Sequence, residues 1–333
     1  MSQKETVVSG IRSTGYLHLG NYFGAIHNYV KMQEDYNCYF FVADYHSLTT
    51  HPDPKDLKAN VFRVAAENIA SGLDPEKVAL YAQSDVPEIP ELYLMLNMLA
   101  YKGELEKVPT FKDKVRLNPD NVNAGLLTYP VLMTADILIH NASKVPVGKD
   151  QEQHLEMARN FAQRFNNRYG DTFTEPHVFR FDENTVKIMS LDGNGKMSKS
   201  ENINATIYLS DEDEVIRKKI MKAKTDAGPQ EPNSEMPDYI KNIFQLMQLV
   251  SAEDVHATFL SNYNNCSIRY GDFKKQLAED MAAFVKPIRE RAADLQKDED
   301  TLRKILKAGA EKARESASKT IAAARKAIGI NYY

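Results

Sequence analysis

Apolar positions in the first 190 or so residues alternate between short unbroken runs and stripes at helical spacing. Thr6 to Ser9 is a β-rich run, and Gly10 to Leu19 reads as a loop. Tyr22, Phe23, Ile26, Tyr29 and Val30 then recur at the three-and-four spacing of one helix face. Cys38-Tyr-Phe-Phe-Val-Ala43 is apolar throughout, as expected of a strand covered on both faces in a parallel sheet. Asp53-Pro54 caps and starts a helix that ends near Gly72, and Val78 to Ala82 is the next strand. Strands alternating with helices predict an α/β chain with a doubly wound, Rossmann-like parallel sheet. Its ligand crevice should lie at the carboxyl ends of the strands.

The texture changes after Ser200. Ser210-Asp-Glu-Asp-Glu caps a helix that runs basic through Arg217, Lys218, Lys219, Lys222 and Lys224, and strand patterning does not return. A turn-rich connector, Gly228 to Pro237, leads to helical stretches over Tyr239–Val250, Asp254–Leu260 and Asp272–Phe284. The tail from Pro287 to Ile328, rich in Ala, Lys, Arg and Glu, predicts a helix pair. Three regions follow: an α/β domain over 1–205, an all-helical domain over 206–290, and C-terminal helices over 291–333 that pack back toward the first. The basic helix reads first as a solvated face, with an RNA contact as the alternative.

Composition narrows the class. A chain of 333 residues with 43% hydrophobic content can bury a core large enough for two domains. A net charge of −4 excludes a globally basic nucleic-acid coat, so RNA would meet local patches. Cys38 and Cys266 are the only cysteines, and they lack both metal-ligand and disulfide-framework spacing. A reducing cytoplasm fits that usage. The N-terminal residues lack an apolar stretch behind a basic region, and no apolar run is long enough to span a bilayer, so no membrane association is expected.

Gly195-Lys-Met-Ser-Lys-Ser200 supplies two ammonium groups, Lys196 and Lys199, beside Gly193, Asn194 and Gly195. That chemistry suits a polyphosphate leaving group. Upstream, Gly15-Tyr-Leu-His-Leu-Gly-Asn21 is a glycine-punctuated turn that opens a helix, where Gly20 lets backbone approach a nucleotide. The pair describes an ATP site and resembles the signature pair of class I aminoacyl-tRNA synthetases. Thr128-Tyr-Pro-Val-Leu-Met-Thr-Ala-Asp-Ile-Leu138 and Val145-Pro-Val-Gly-Lys-Asp-Gln-Glu-Gln-His154 resemble substrate segments of the tryptophanyl branch. Gly103 to Glu106, Phe111 to Lys114, Asn160 to Asn166 and Tyr270 to Lys274 agree with it, so the resemblance spans essentially the whole chain.

The resemblance implies roles. Asp136 accepts the indole N–H, with His46 beside the ring and Val8, Met133, Val145 and Val147 forming the apolar slot. Tyr129 and Gln151 hold the α-amino group. Arg12, Ser13, Thr14, His18, Gly20, Asn21, Val147, Gly148 and Asp150 contact ATP, together with Lys196, Met197, Ser198, Lys199 and Ser200. Lys114, Lys196 and Lys199 neutralise phosphates with one Mg2+ ion carried by ATP. The implied partners are L-tryptophan, ATP and tRNA(Trp), in a cytoplasmic homodimer. Arg12 and His18 stand where many bacterial members carry glutamine and threonine. An arginine at 12 can grip the substrate carboxylate or the α-phosphate through two parallel bonds.

Blander readings attach to single residues. His46 and His154 alone are ordinary structural histidines, Met133 and Val145 ordinary core, and Cys38 a small buried strand residue. A tyrosyl-tRNA synthetase shares fold and chemistry but usually carries a Lys-Phe-Gly-Lys-Ser loop. A nucleotidylyltransferase would be shorter and lack Lys-Met-Ser-Lys-Ser, and a non-enzymatic RNA-binding paralogue would have lost the lysines or the turn.

Overall fold

Five parallel strands stand in the order β3-β2-β1-β4-β5 in the computed structural model, which describes residues 4–148, 151–180, 187–198 and 202–332. They are β1 (Thr6–Arg12), β2 (Asn37–Ala43), β3 (Ala79–Ala82), β4 (Lys144–Val145) and β5 (His177–Val178). The chain pairs β2 and β3 outward on one side of β1, then crosses to add β4 and β5 on the other. That reversal between β1 and β4 creates the switch-point crevice typical of open α/β sheets. β1 is longer than its apolar run suggested. Gly10, Ile11 and Arg12 pair with Phe41, Val42 and Ala43, and the ring of Phe41 fills the space that a side chain at position 10 would need.

Contacts divide the chain into two compact units. The first comprises Met1–Gly15, Tyr29–Glu183 and Asp298–Tyr333, and the second Tyr16–Asn28 and Asn184–Lys297. In the first, β2 is buried from Cys38 to Ala43, as an unbroken apolar run requires. The helix Pro54–Ala70 begins as its sequence predicts: the Asp53 carboxylate accepts the Lys55 N–H at 2.8 Å and Pro54 occupies the first turn. The helices Ala124–Leu138 and Glu152–Tyr169 pack together, and the long helix Glu299–Ile328 lies on β3. Asp298 caps that last helix by accepting the Thr301 N–H at 3.1 Å.

The second unit holds the helices Asp213–Met221, Asp238–Val250, Glu253–Asn264 and Tyr270–Lys297. Two sequence expectations are corrected here. The helix cap falls at Glu212 rather than Ser210, and no side chain closes it. Pro287 does not start a new element, because the helix runs through it from Tyr270 to Lys297. A proline inside a helix removes one hydrogen bond and costs about 3 kcal/mol. Buried Leu277, Met281, Val285, Ile288 and Ala292 continue one apolar stripe across the interruption and outweigh that loss.

Candidate active site

Side chains gather at the carboxyl ends of the strands in the first unit. Arg12 ends β1, His46 lies in the short helix Asp44–Ser47 after β2, and Gln83 follows β3. Asp136, only 1% exposed, projects from the helix Ala124–Leu138. Its Oδ2 lies 2.8 Å from His46 Nε2, and its Oδ1 accepts the Gln83 amide at 2.6 Å. Burial raises the Asp136 pKa, while the bonds from His46 and Gln83 oppose that shift. Val8 and Val145 belong to one buried cluster, and Met133 and Val147 pack against it. The apolar residues expected to form one slot therefore share one core, with Asp136 anchored on the same helix as Met133.

Two cations lie in the same unit. The Arg12 guanidinium reaches the His46 carbonyl at 3.5 Å, and its Nε is buried without a hydrogen-bond partner. Lys114 Nζ stands 3.9 Å from the centre of the Tyr129 ring. Burial first, and then the Arg12 charge, bring the Lys114 pKa down to about 8. Burial likewise raises the Tyr129 pKa, opposed by its bond with Thr110 and by the Arg12 charge. The Tyr129 hydroxyl lies 2.5 Å from Thr110 Oγ1 and 2.8 Å from His154 Nε2. Ser13 is buried and donates to Ser47 Oγ at 2.9 Å, fixing the chain just after β1. An anionic group entering here would find a guanidinium with an unused donor and a lysine with a cation–π contact.

Of the signature stretches, Tyr16 to Asn21 and Gly195 to Ser198 lie in the second unit. The His18 N–H donates to Asn21 Oδ1 at 3.1 Å, opening the helical turn Leu19–Asn21. A β-carbon at Gly20 would stand 2.9 Å from the His18 ring, so the glycine gives the imidazole its place. Residues 188–197 form a tight hairpin in which Met197 N–H donates to the Ile188 carbonyl at 3.0 Å. Gly193 and Gly195 turn it with φ of 77° and 70°. Asn242, buried on the helix Asp238–Val250, clamps the base: its Oδ1 accepts the Met189 N–H at 3.0 Å and its Nδ2 donates to the Met189 carbonyl at 3.2 Å. Met197 is buried, and Thr206 Oγ1 donates to the Ser198 carbonyl at 2.9 Å. The glycines thus turn a hairpin that is tied to a helix at its base.

Other expected residues sit near these in sequence. Thr14 is exposed, Gly148 accepts the Gln151 N–H at 2.9 Å, and Gln151 precedes the helix Glu152–Tyr169. Lys196 bridges Met189 across the hairpin. Asp150, Lys199 and Ser200 lie outside the described residues. The basic helix Asp213–Met221 spends part of its charge internally. Arg217 pairs with Glu214 and Glu279, and Lys219 pairs with Asp211. Sequence reasoning missed Gln83, Thr110 and Asn242. Gln83 had a usable signal, since it follows a buried strand at the carboxyl end of a parallel sheet. Thr110 and Asn242 had none.

The sequence profile of the family described as tRNA synthetases class I (W and Y) matches residues 2–286. A curated relative from Porphyromonas gingivalis, named Tryptophan--tRNA ligase, is 59% identical over 326 residues, covering 98% of this chain and 99% of its own. Among solved structures, tryptophanyl-tRNA synthetase from Campylobacter jejuni complexed with ADP and tryptophan is similar, with a TM-score of 0.86 and 37% identity. That match covers 97% of this chain and 99% of that one. The tryptophanyl-tRNA synthetase of Mycoplasma pneumoniae is similar at a TM-score of 0.85 and 32% identity, covering 98% of both chains.

Proposed function

Starting from a chain that belongs to the class I tRNA synthetases, on their bacterial tryptophanyl branch, we propose how its residues divide the work. The enzyme activates L-tryptophan with ATP, releases pyrophosphate and transfers the aminoacyl group to tRNA(Trp). In the proposed assignment Asp136 accepts the indole N–H, His46 flanks the ring, and Val8, Met133, Val145 and Val147 form the slot. The observation that carries this is a carboxylate 1% exposed, held by two side chains beside an apolar cluster. A buried acceptor built for an N–H rejects phenylalanine strongly, because the acceptor would be left unpaired.

Tyr129 and Gln151 orient the α-amino group. Arg12, with its unused buried donor, binds the tryptophan carboxylate or the α-phosphate. The carboxylate attacks the α-phosphate, and Lys114, Lys196 and Lys199 stabilise charge on the departing pyrophosphate. Ser13, Thr14, His18, Gly20, Asn21, Val147, Gly148 and Asp150 contact ATP, as do Met197, Ser198 and Ser200. The terminal ribose hydroxyl of tRNA then attacks the adenylate. Catalysis consists of positioning and charge stabilisation, with no side-chain nucleophile.

Magnesium enters this reading on ATP. Arg12 and Lys114 offer nitrogen cations, which suit phosphate oxygens and not a metal, so the ion would be held by the phosphates and water. It would add positive charge where the leaving group gains negative charge. The region 1–205 serves catalysis, 206–290 the anticodon, and 291–333 closes on the first, a reading supported by the packing of Glu299–Ile328 on β3. A homodimer is supported by exposed apolar surface at Leu94, Met98 and Tyr101. Among the described residues no helix is long and apolar enough to cross a membrane, and the cytoplasmic location follows from the reaction. Amino-acid-dependent ATP–pyrophosphate exchange tests the reading. Tryptophan should support exchange and tyrosine and phenylalanine should not, whereas equal exchange with tyrosine would overturn it.

A further inference from the structure

Gln83 has no role in the reading above, yet it is 0% exposed and its amide makes the shorter of the two bonds to Asp136. An ionised carboxylate offers about four acceptor positions. His46 Nε2 lies on Oδ2 and Gln83 Nε2 on Oδ1, so acceptor capacity remains for a third donor. The two partners are not equivalent. Whether His46 donates depends on which ring nitrogen carries the proton, whereas a carboxamide nitrogen donates in every state. The Gln83 amide is also oriented at its other end, where Oε1 accepts the His46 backbone N–H at 3.4 Å. Turned over, it would set its oxygen against the carboxylate and its NH2 against that N–H, losing both contacts. Gln83 thus meets the acceptor side chain with a donor fixed by the backbone of the residue that meets the other oxygen.

We propose that Gln83 is a specificity-determining positioning residue, whose carboxamide holds the Asp136 carboxylate in the one orientation that leaves a lone pair facing a substrate N–H. This rests on Asp136 being the indole acceptor. A residue that merely filled space would affect every substrate of similar shape alike. One that aims the acceptor affects only substrates that bring a donor.

That difference sets the experiment. Pyrophosphate exchange is measured with tryptophan and with its isostere in which sulfur replaces the indole N–H, for wild type, Gln83→Met, Asp136→Asn and the double variant. Gln83→Met should raise KM for tryptophan by about tenfold or more, the loss expected when a hydrogen bond to a buried charge is removed. It should leave kcat nearly unchanged and move KM for the sulfur isostere by less than about twofold. In the Asp136→Asn background the same change should have little further effect, because Gln83 acts through that carboxylate. If Gln83→Met fails to fold, Gln83→Asn, which withdraws the amide by one methylene, is read in the same way. Equal losses for both substrates, or full additivity in the double variant, would overturn the proposal. Unchanged selection by Asp136→Asn would instead sink the reading of Asp136 itself.

Discussion

Gly309 lies against the main chain of Leu80 so closely that a methyl group at position 309 would overlap the Leu80 carbonyl. The contact joins the helix Glu299–Ile328 to β3 inside the first unit. Leu80 is backbone in a buried strand and cannot yield. Gly309→Ala should therefore push the helix off the sheet and destabilise the unit by about 1–3 kcal/mol, the usual cost of overpacking. A denaturation midpoint matching wild type would show that the helix can slide without loss.

Removing the Asp136 carboxylate should lower tryptophan activation by at least about two orders of magnitude, since a charge-assisted bond disappears from a buried place. Asp136→Ala also strands His46 and Gln83, so the comparison uses kcat/KM for exchange together with a thermal midpoint to separate recognition from folding. Equal activation by variant and wild type would remove Asp136 from recognition.

Arg12→Gln replaces a guanidinium by the amide common at that place in relatives. Folding should survive, because among the described residues the arginine's hydrogen bond is a long one, 3.5 Å to the His46 carbonyl, and its Nε has no partner there. The kinetics of adenylate formation should nevertheless change, as a charged, two-pronged contact becomes a neutral single one. Identical exchange kinetics would mean that Arg12 serves no substrate anion.

The lowered pKa of Lys114 gives activity an alkaline limb. Its ammonium titrates near 8 in the free enzyme, so kcat/KM for ATP should fall as pH rises through that value. Folding changes in the opposite sense. A lysine whose pKa lies below 10.5 in the folded state holds fewer protons there than when unfolded, so between about 8 and 10.5 this group favours folding more as pH rises. Lys114→Arg, which stays charged, should move the limb of the rate profile to higher pH. If the limb stays in place, it belongs to another group.

Lys199→Ala should lower the first-order rate of adenylate formation far more than it raises KM for ATP, since contacts formed in the transition state appear in kcat. Transfer from preformed adenylate to tRNA should change little, because pyrophosphate has already left. Single-turnover measurements of the two half-reactions decide the matter, and a variant deficient only in transfer would refute the assignment.

Much of this architecture can be read from residue patterns. The unbroken run Cys38 to Ala43 predicted a strand buried on both faces, and the Asp53-Pro54 start predicted a helix ending near Gly72, which runs to Ala70. Local signals misled where a neighbour outweighed them. Gly10 reads as loop but is strand, because the Phe41 ring lies over it, and Pro287 reads as a break but lies inside an apolar stripe that never stops. In the candidate site, Asp136 and His46 were expected together and stand 2.8 Å apart. Gln83 could have been found from its place just after a buried strand, whereas Thr110 and Asn242 acquire significance only through partners distant in sequence, which no spacing rule reports.

The clamp of Asn242 on Met189 bears on how this enzyme can be rebuilt. A signature hairpin exchanged for that of a relative would arrive without the helix residue that receives it, leaving a buried amide facing foreign backbone. Hairpin and helix Asp238–Val250 therefore form one transplantable module, and a chimera should carry both or neither.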